Sequence, residues 1–103
     1  MQVAIKNLTN EQLNQAVQTA DRCFLAPVDY CGSWSHAGPL IHREDIGLTP
    51  PAYRRINWVA RAKRNGKNWI GRGPTPQIAA MRCFVAAMLE ASSVEVPDAL
   101  SQL

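Results

Sequence analysis

The chain has 103 residues, of which 47% are hydrophobic and 18% are charged, with a formal net charge of +3. This length predicts one domain with a modest core, and the composition excludes a disordered tail. The sequence contains no apolar run long enough to span a bilayer and no signal-peptide pattern at the N-terminus. We therefore expect a cytoplasmic protein without a membrane partner.

The charge is distributed unevenly along the chain. Residues 1–50 carry three basic and five acidic residues, and residues 90–103 carry three acids and no base. Residues 51–89, by contrast, contain eight basic residues and no acid. Such a block favours an anionic partner, and a solvated hairpin surface is the alternative interpretation.

The N-terminal part contains a short strand signal and a helix signal. The stretch QVAI within residues 1–8 is a candidate edge strand. Thr9 and Gln12 then form a capping-box pattern, which is typical of a helix N-terminus. Apolar residues recur at helical spacing after it, so we predict a helix over 9–24.

Periodicity fades over residues 25–55, where glycines and prolines punctuate the chain. We predict a long irregular loop here and consider a short strand around 39–42. Loops of this length in small domains are often functional. Tyr30 and Trp34 are large enough to anchor the loop to the core.

The pattern over residues 56–71 is that of a β-hairpin. Asn65-Gly66 is the preferred dipeptide of a type I′ turn, because both central residues need positive φ. A two-residue turn pairs Arg64 with Lys67. The alternation of side chains then places Trp69 with the small alanines on one face.

A second helix is predicted over 75–91, with Thr75 as N-cap and Pro76 at the first helical position. Residues 92–103 are expected to form a short strand and a tail. The predicted fold is therefore α+β. It has two helices packed on a small antiparallel sheet, with a central β-hairpin and a long irregular loop.

Three segments resemble, in the same order, segments of the NinX-like family of small tailed-bacteriophage proteins: WSHAGPLIHREDIGL, GPTPQIAAMRCFVAAML and VEVPDAL. The match over Gly73–Cys83 is the most specific of them. His36 and Ala37 depart from the family pattern, and the hairpin is richer in charge. The resemblance implies a phage accessory protein that acts inside an infected bacterial cell, and it supplies no activity to transfer.

The N-terminus of the second helix is a candidate anion site, because helix N-termini attract anions. Arg72 adds a guanidinium group that can donate two parallel hydrogen bonds to an anion. A tight, capped turn explains Thr75 equally well. Arg82 lies beside the apolar stripe of the helix, where a charge must pair, reach solvent or face a cleft. An ion pair with Glu44 or Asp45 is the alternative to a role as an anion clamp.

The complete set of predicted ligand-binding residues combines these positions with aromatic and polar neighbours. It consists of Trp34, Ser35, His36, Arg43, Trp69, Arg72, Thr75 and Arg82. A second predicted set is a basic surface formed by Arg54, Arg55, Arg61, Lys63, Arg64 and Lys67.

The chemistry-bearing residues favour binding over catalysis. The three cysteines and two histidines match no common zinc spacing, so we expect no metal and no cofactor. No Walker loop, paired-carboxylate motif or nucleophile elbow is present, which argues against an enzyme.

Three functions stay open at this point. The first is a non-catalytic phage accessory protein that sequesters a small anionic ligand, such as a nucleotide signal of host defence. The second is a nucleic-acid-binding protein that uses the basic hairpin, and the third is an inhibitor of a host protein. Because a small core gains from a partner, we also expect a homo-oligomer.

Overall fold

The computed structural model describes residues 1–22 and 28–96. Within them the chain forms helices α1 (Asn10–Ala20), α2 (Trp34–Arg43) and α3 (Pro76–Leu89). The strands are β1 (Gln2–Ala4), β2 (Gly47–Thr49), β3 (Trp58–Arg64), β4 (Lys67–Gly73) and β5 (Ser93–Glu95), and a 3-10 turn covers Ile5–Asn7. Two antiparallel sheets result, ordered β2-β3-β4 and β1-β5, which confirms the α+β class.

Helix α1 begins as the capping box predicts. The Thr9 hydroxyl accepts a hydrogen bond from the Gln12 amide, and the Gln12 side chain accepts one from the Thr9 amide. The helix ends earlier than the predicted residue 24. Asp21 caps it, and Arg22 takes a left-handed φ of 55° that turns the chain away. The last two residues of the predicted range lie outside the described residues.

Helix α2 is the main difference from the sequence prediction, because it occupies part of the segment expected to be an irregular loop. The strand considered around 39–42 was wrong, since these residues are helical. Pro39 has no N–H to donate and so removes one helical hydrogen bond. The local sequence therefore does not indicate a helix here. Ala37 and Leu40 are buried in the main core, and this tertiary packing outweighs the weak local propensity.

The hairpin of β3 and β4 has the predicted register. Arg64 pairs with Lys67, and Ala62 pairs with Trp69. Asn65 and Gly66 have φ values of 52° and 76°, as a type I′ turn requires. The sequence therefore determines this register locally, through the turn dipeptide.

Short strands at the two ends of the described chain pair with each other. Gln2 lies opposite Glu95, and the N-terminal amino group of Met1 forms an ion pair with the Glu95 carboxylate. That hydrogen bond lowers the pKa of Glu95 below its usual value. The Ile5 amide continues the closure by donating to the Ser92 carbonyl at 2.9 Å. This pairing fixes the 3-10 turn beside residues 91–93.

Helix α3 forms the centre of the molecule, and it packs on α1, α2, β3 and β4. Its Thr75 N-cap is confirmed, since the hydroxyl accepts from the Ile78 amide at 3.2 Å. Nine of its residues are buried, so it is apolar nearly all round, as expected for a helix inside a core.

Two glycines of β4 set the distance between that strand and α3. A Cβ at Gly71 would overlap the Ala79 carbonyl oxygen and the Cys83 amide nitrogen. A Cβ at Gly73 would lie 2.7 Å from Cγ2 of Ile78. Any side chain at Gly71 would therefore push helix and strand apart.

Replacing Gly71 with alanine is expected to lower the free energy of unfolding by about 2–3 kcal/mol, because the backbone of α3 cannot yield without losing core contacts. Gly47→Ala is the matched control, since its Cβ would lie 3.8 Å from the Arg61 carbonyl oxygen, an ordinary contact. That control is expected to stay within about 0.5 kcal/mol of wild type. Urea unfolding measures both, and equal stabilities would contradict this packing.

Candidate functional site

A surface cleft of about 680 Å3 is lined by residues of the 3-10 turn, the edge strand β4, helix α3 and residues 91–93. Its volume falls in the range of small-molecule sites. The charged side chains in its lining are Lys6, Arg72 and Arg82, and Trp69 contributes an aromatic ring. No carboxylate is found among the described residues that line it. The cleft is therefore a positively charged environment suited to an anion.

Arg82 is the residue of greatest interest in this cleft, because it is half-buried in an otherwise buried run of α3. One terminal guanidinium nitrogen donates to the Arg72 carbonyl oxygen at 2.8 Å. Its Nε atom is buried and has no hydrogen-bond partner within residues 1–22 and 28–96. Burial lowers the pKa of Arg82, and the nearby Cys31 acts in the opposite direction. The charge of Arg82 is thus only partly compensated by the protein.

Arg82 does not form the internal ion pair with Glu44 or Asp45 that was the alternative interpretation of the sequence. Glu44 instead binds Arg43 at 2.8 Å and Arg64 at 3.3 Å. No Asp or Glu of the described chain forms an ion pair with Arg82, and this includes Asp45. Arg72 and Arg82 consequently share a cleft rather than neutralising the protein's own acids.

Trp69, which also lines the cleft, carries the second buried donor without a partner among the described residues. Its Nε1 atom is buried and lacks a hydrogen-bond partner among the described residues, although a buried indole N–H usually finds one. Leaving a buried donor unpaired costs about 1–3 kcal/mol, so such atoms are rare and call for an explanation. Both buried side-chain polar atoms that lack a partner in the described chain, Trp69 Nε1 and Arg82 Nε, belong to residues of this cleft.

Trp34, Ser35 and His36 lie in the first turn of α2 and are not among the lining residues of the cleft. The hydroxyl of Ser33 bonds to that of Ser35 at 2.8 Å and to Nδ1 of His36 at 3.0 Å. The imidazole also meets Tyr30 edge to face, with 6.3 Å between ring centroids. Trp34 is 49% exposed. Their role in ligand binding stays a prediction.

Arg43 is held by contacts within the protein. It binds Asp21 at 2.6 Å and Glu44 at 2.8 Å, and its guanidinium lies 5.9 Å from the centroid of the Phe84 ring. The hydrogen bonds from Glu44 and then Asp21 raise its pKa. These contacts give Arg43 a structural role in joining α1, α2 and α3.

Lys6 and Asn57 are among the lining residues that were not in the predicted set. Lys6 reaches the cleft because β1 pairs with β5, which brings the first residues beside residues 91–93. That contact spans nearly the whole chain, and no local pattern indicates it. Asn57 directly precedes β3, where the sequence gives no signal beyond the end of a loop.

The residues of the predicted basic surface lie in different parts of the structure. Arg61, Lys63 and Lys67 are exposed on the hairpin, whereas Arg64 binds Glu44. Arg54 and Arg55 lie in the connection between β2 and β3, where Arg55 donates to the Pro50 carbonyl oxygen at 3.3 Å.

Neither a metal site nor a membrane span is found in the parts of the chain that the structure describes. No group of three His, Cys, Asp or Glu side chains there is arranged to hold a metal ion. None of the helices combines the length and apolar character that crossing a membrane requires. Cys23, one of the metal-ligand candidates considered from the sequence, lies outside the described residues.

Cys31 and Cys83 are expected to react slowly with thiol reagents. Both are buried, and this desolvation raises the pKa of each thiol to about 11, so little thiolate forms at pH 8. In a Cys23→Ser variant only these two thiols remain. Labelling with Ellman's reagent at pH 8 should be slow in buffer and complete in guanidinium chloride. Rapid labelling of two thiols in buffer would contradict this burial.

Comparison with known protein families identifies the family of this chain. No curated protein sequence matches it. The family model described as Bacteriophage P22, NinX matches residues 4–88, which include α1, α2, the hairpin and nearly all of α3. The resemblance noted from the sequence motifs is thus confirmed, and the chain belongs to the phage NinX family.

Proposed function

We propose that this protein is a non-catalytic phage accessory protein that binds a small anionic ligand of nucleotide type in the cleft. By sequestering that ligand it would counter a nucleotide signal of host defence. The observation that carries the proposal is that three cations, and the two residues with an unpartnered buried donor (Trp69 and Arg82), line one cleft without a described carboxylate.

The electrostatics of the cleft favour an anion over a neutral ligand. Arg82 already donates to the Arg72 carbonyl, which leaves its remaining N–H groups for an acceptor outside the protein. Arginine presents its donors in a planar fork that matches phosphate oxygens. Lys6 and Arg72 are exposed, so they add charge at the rim of the cleft. These three cations attract a phosphate group more strongly than a neutral group.

The remaining lining suits the other half of a nucleotide. Trp69 is half-buried in the cleft and offers an indole ring, while Asn57 and Ser92 supply neutral polar groups. An aromatic ring beside cations fits a base and its phosphate together. A cleft of about 680 Å3 holds a ligand of this size.

Thermal-shift measurements with a panel of cyclic and linear nucleotides test the proposal. A nucleotide at 100 times its Kd stabilises the protein by about 2.7 kcal/mol. For a domain of this size, that gain corresponds to a Tm rise of about 10 °C. Adenosine, which lacks a phosphate, should give no comparable rise. The proposal would be contradicted if no nucleotide of the panel stabilised the protein at millimolar concentration.

Two single variants test whether the nucleotide binds in the cleft. Lys6→Gln and Arg72→Gln each remove one exposed cation, and each should weaken the affinity for a stabilising nucleotide about tenfold or more. Arg22→Gln is the matched control, because it removes an exposed cation that does not line the cleft. Equal affinities for all four proteins, measured by calorimetry, would place the nucleotide elsewhere.

A further inference from the structure

The outer face of the three-stranded sheet is a second charged surface, and it points away from α3. Alternation along β3 and β4 directs Ala60, Ala62, Gly71 and Gly73 toward the core. The opposite side carries Val59, which is buried, and the side chains called here the outer face: Arg61 and Lys63 of β3 with Asn68, Ile70 and Arg72 of β4, of which Arg72 also lines the cleft.

The cations of the outer face are exposed and lack acidic partners. Arg61, Lys63 and Arg72 form no ion pair with any described Asp or Glu. Arg61 makes one long hydrogen bond, 3.5 Å, to the Thr49 hydroxyl. Glu44 and Asp45 border one end of this face; Arg43 and Arg64 bind the Glu44 carboxylate, and the single charge of Asp45 is outnumbered by the three cations. The outer face therefore presents net positive charge to solvent.

The connection between β2 and β3 adds exposed apolar groups close in sequence to this face. Tyr53 is 91% exposed and Ile56 is 86% exposed. The guanidinium of Arg54 lies 5.6 Å from the centroid of the Tyr53 ring. Ile70, on the outer face itself, is 43% exposed. Exposed apolar side chains and cations thus occur together in residues 53–63 and on the neighbouring strand β4.

We propose that the outer face, together with Tyr53, binds single-stranded nucleic acid. Residues two apart on a strand project to the same side at a spacing of about 7 Å, so Arg61 and Lys63 form a row of charge that follows an extended phosphate backbone. An exposed aromatic ring stacks on unpaired bases, whereas a duplex hides its bases from such a ring. The combination of a cation row and an exposed tyrosine selects a single strand over a duplex.

Fluorescence anisotropy with a labelled 20-nucleotide oligo(dT), and with a duplex of equal length, tests this proposal. The single strand should bind more tightly than the duplex. The Arg61→Gln/Lys63→Gln double variant should lose about tenfold or more in affinity. Because each phosphate contact contributes about 0.7 to the slope of log K against log salt, this slope should fall by about 1.4.

Substitutions at Tyr53 separate stacking from charge. Tyr53→Ala should weaken binding about fivefold or more with an unchanged salt slope, and Tyr53→Phe should restore it because the ring remains. No binding of oligo(dT), or tighter binding of the duplex with no effect of Tyr53→Ala, would overturn the proposal.

Lys6→Gln is the control that separates the outer face from the cleft. Lys6 lines the cleft and does not belong to the outer face, so oligo(dT) affinity should be unchanged. The double variant, in turn, should leave mononucleotide binding in the cleft unchanged, since neither Arg61 nor Lys63 lines it. Loss of oligo(dT) binding in Lys6→Gln with none in the double variant would overturn the outer-face proposal and assign the strand to the cleft.

Discussion

The close approach of α3 to β4 at Gly71 is the constraint on which the rest of the structure depends. With no side chain at Gly71, the strand backbone lies directly against Ala79 and Cys83 of the helix. This contact brings Arg82 near enough to donate to the Arg72 carbonyl oxygen. The same packing buries α3 on nearly all sides. One small residue thus determines both the core and the position of the arginine in the cleft.

The distribution of acids explains why the cleft stays positive. Asp21 and Glu44 bind Arg43, Glu44 also binds Arg64, and Glu95 binds the N-terminus. Except for the pair between the neighbours Arg43 and Glu44, these ion pairs join separate elements, so Asp21, Glu44 and Glu95 have partners away from the cleft. The basic segment 51–89 then supplies Arg72 and Arg82 without an acid of its own. Five cations that form no ion pair in the described chain lie at the cleft or on the outer face: Lys6, Arg61, Lys63, Arg72 and Arg82.

The sequence predicted those parts of the fold that local chemistry determines. Asn65-Gly66 specified the hairpin register, and Thr9 and Thr75 specified two helix starts, because turns and caps involve only a few neighbouring residues. Helix α2 was not predicted, because Pro39 disfavours a helix in the local sequence. The helix is stabilised by burial of Leu40, which the local sequence does not show. For the cleft, the sequence singled out Trp69, Arg72 and Arg82. It could not reveal Lys6, because that position depends on pairing between the two ends of the chain.

We propose that the cleft of this phage NinX family member holds a small anionic ligand. Mass spectrometry of small molecules released from the protein, purified out of bacteria with active nucleotide signalling, tests it most directly. We expect a phosphate-bearing small molecule to be released from wild type and to be depleted from a Lys6→Gln/Arg72→Gln variant. Release of no such molecule, or of equal amounts from both proteins, would contradict it.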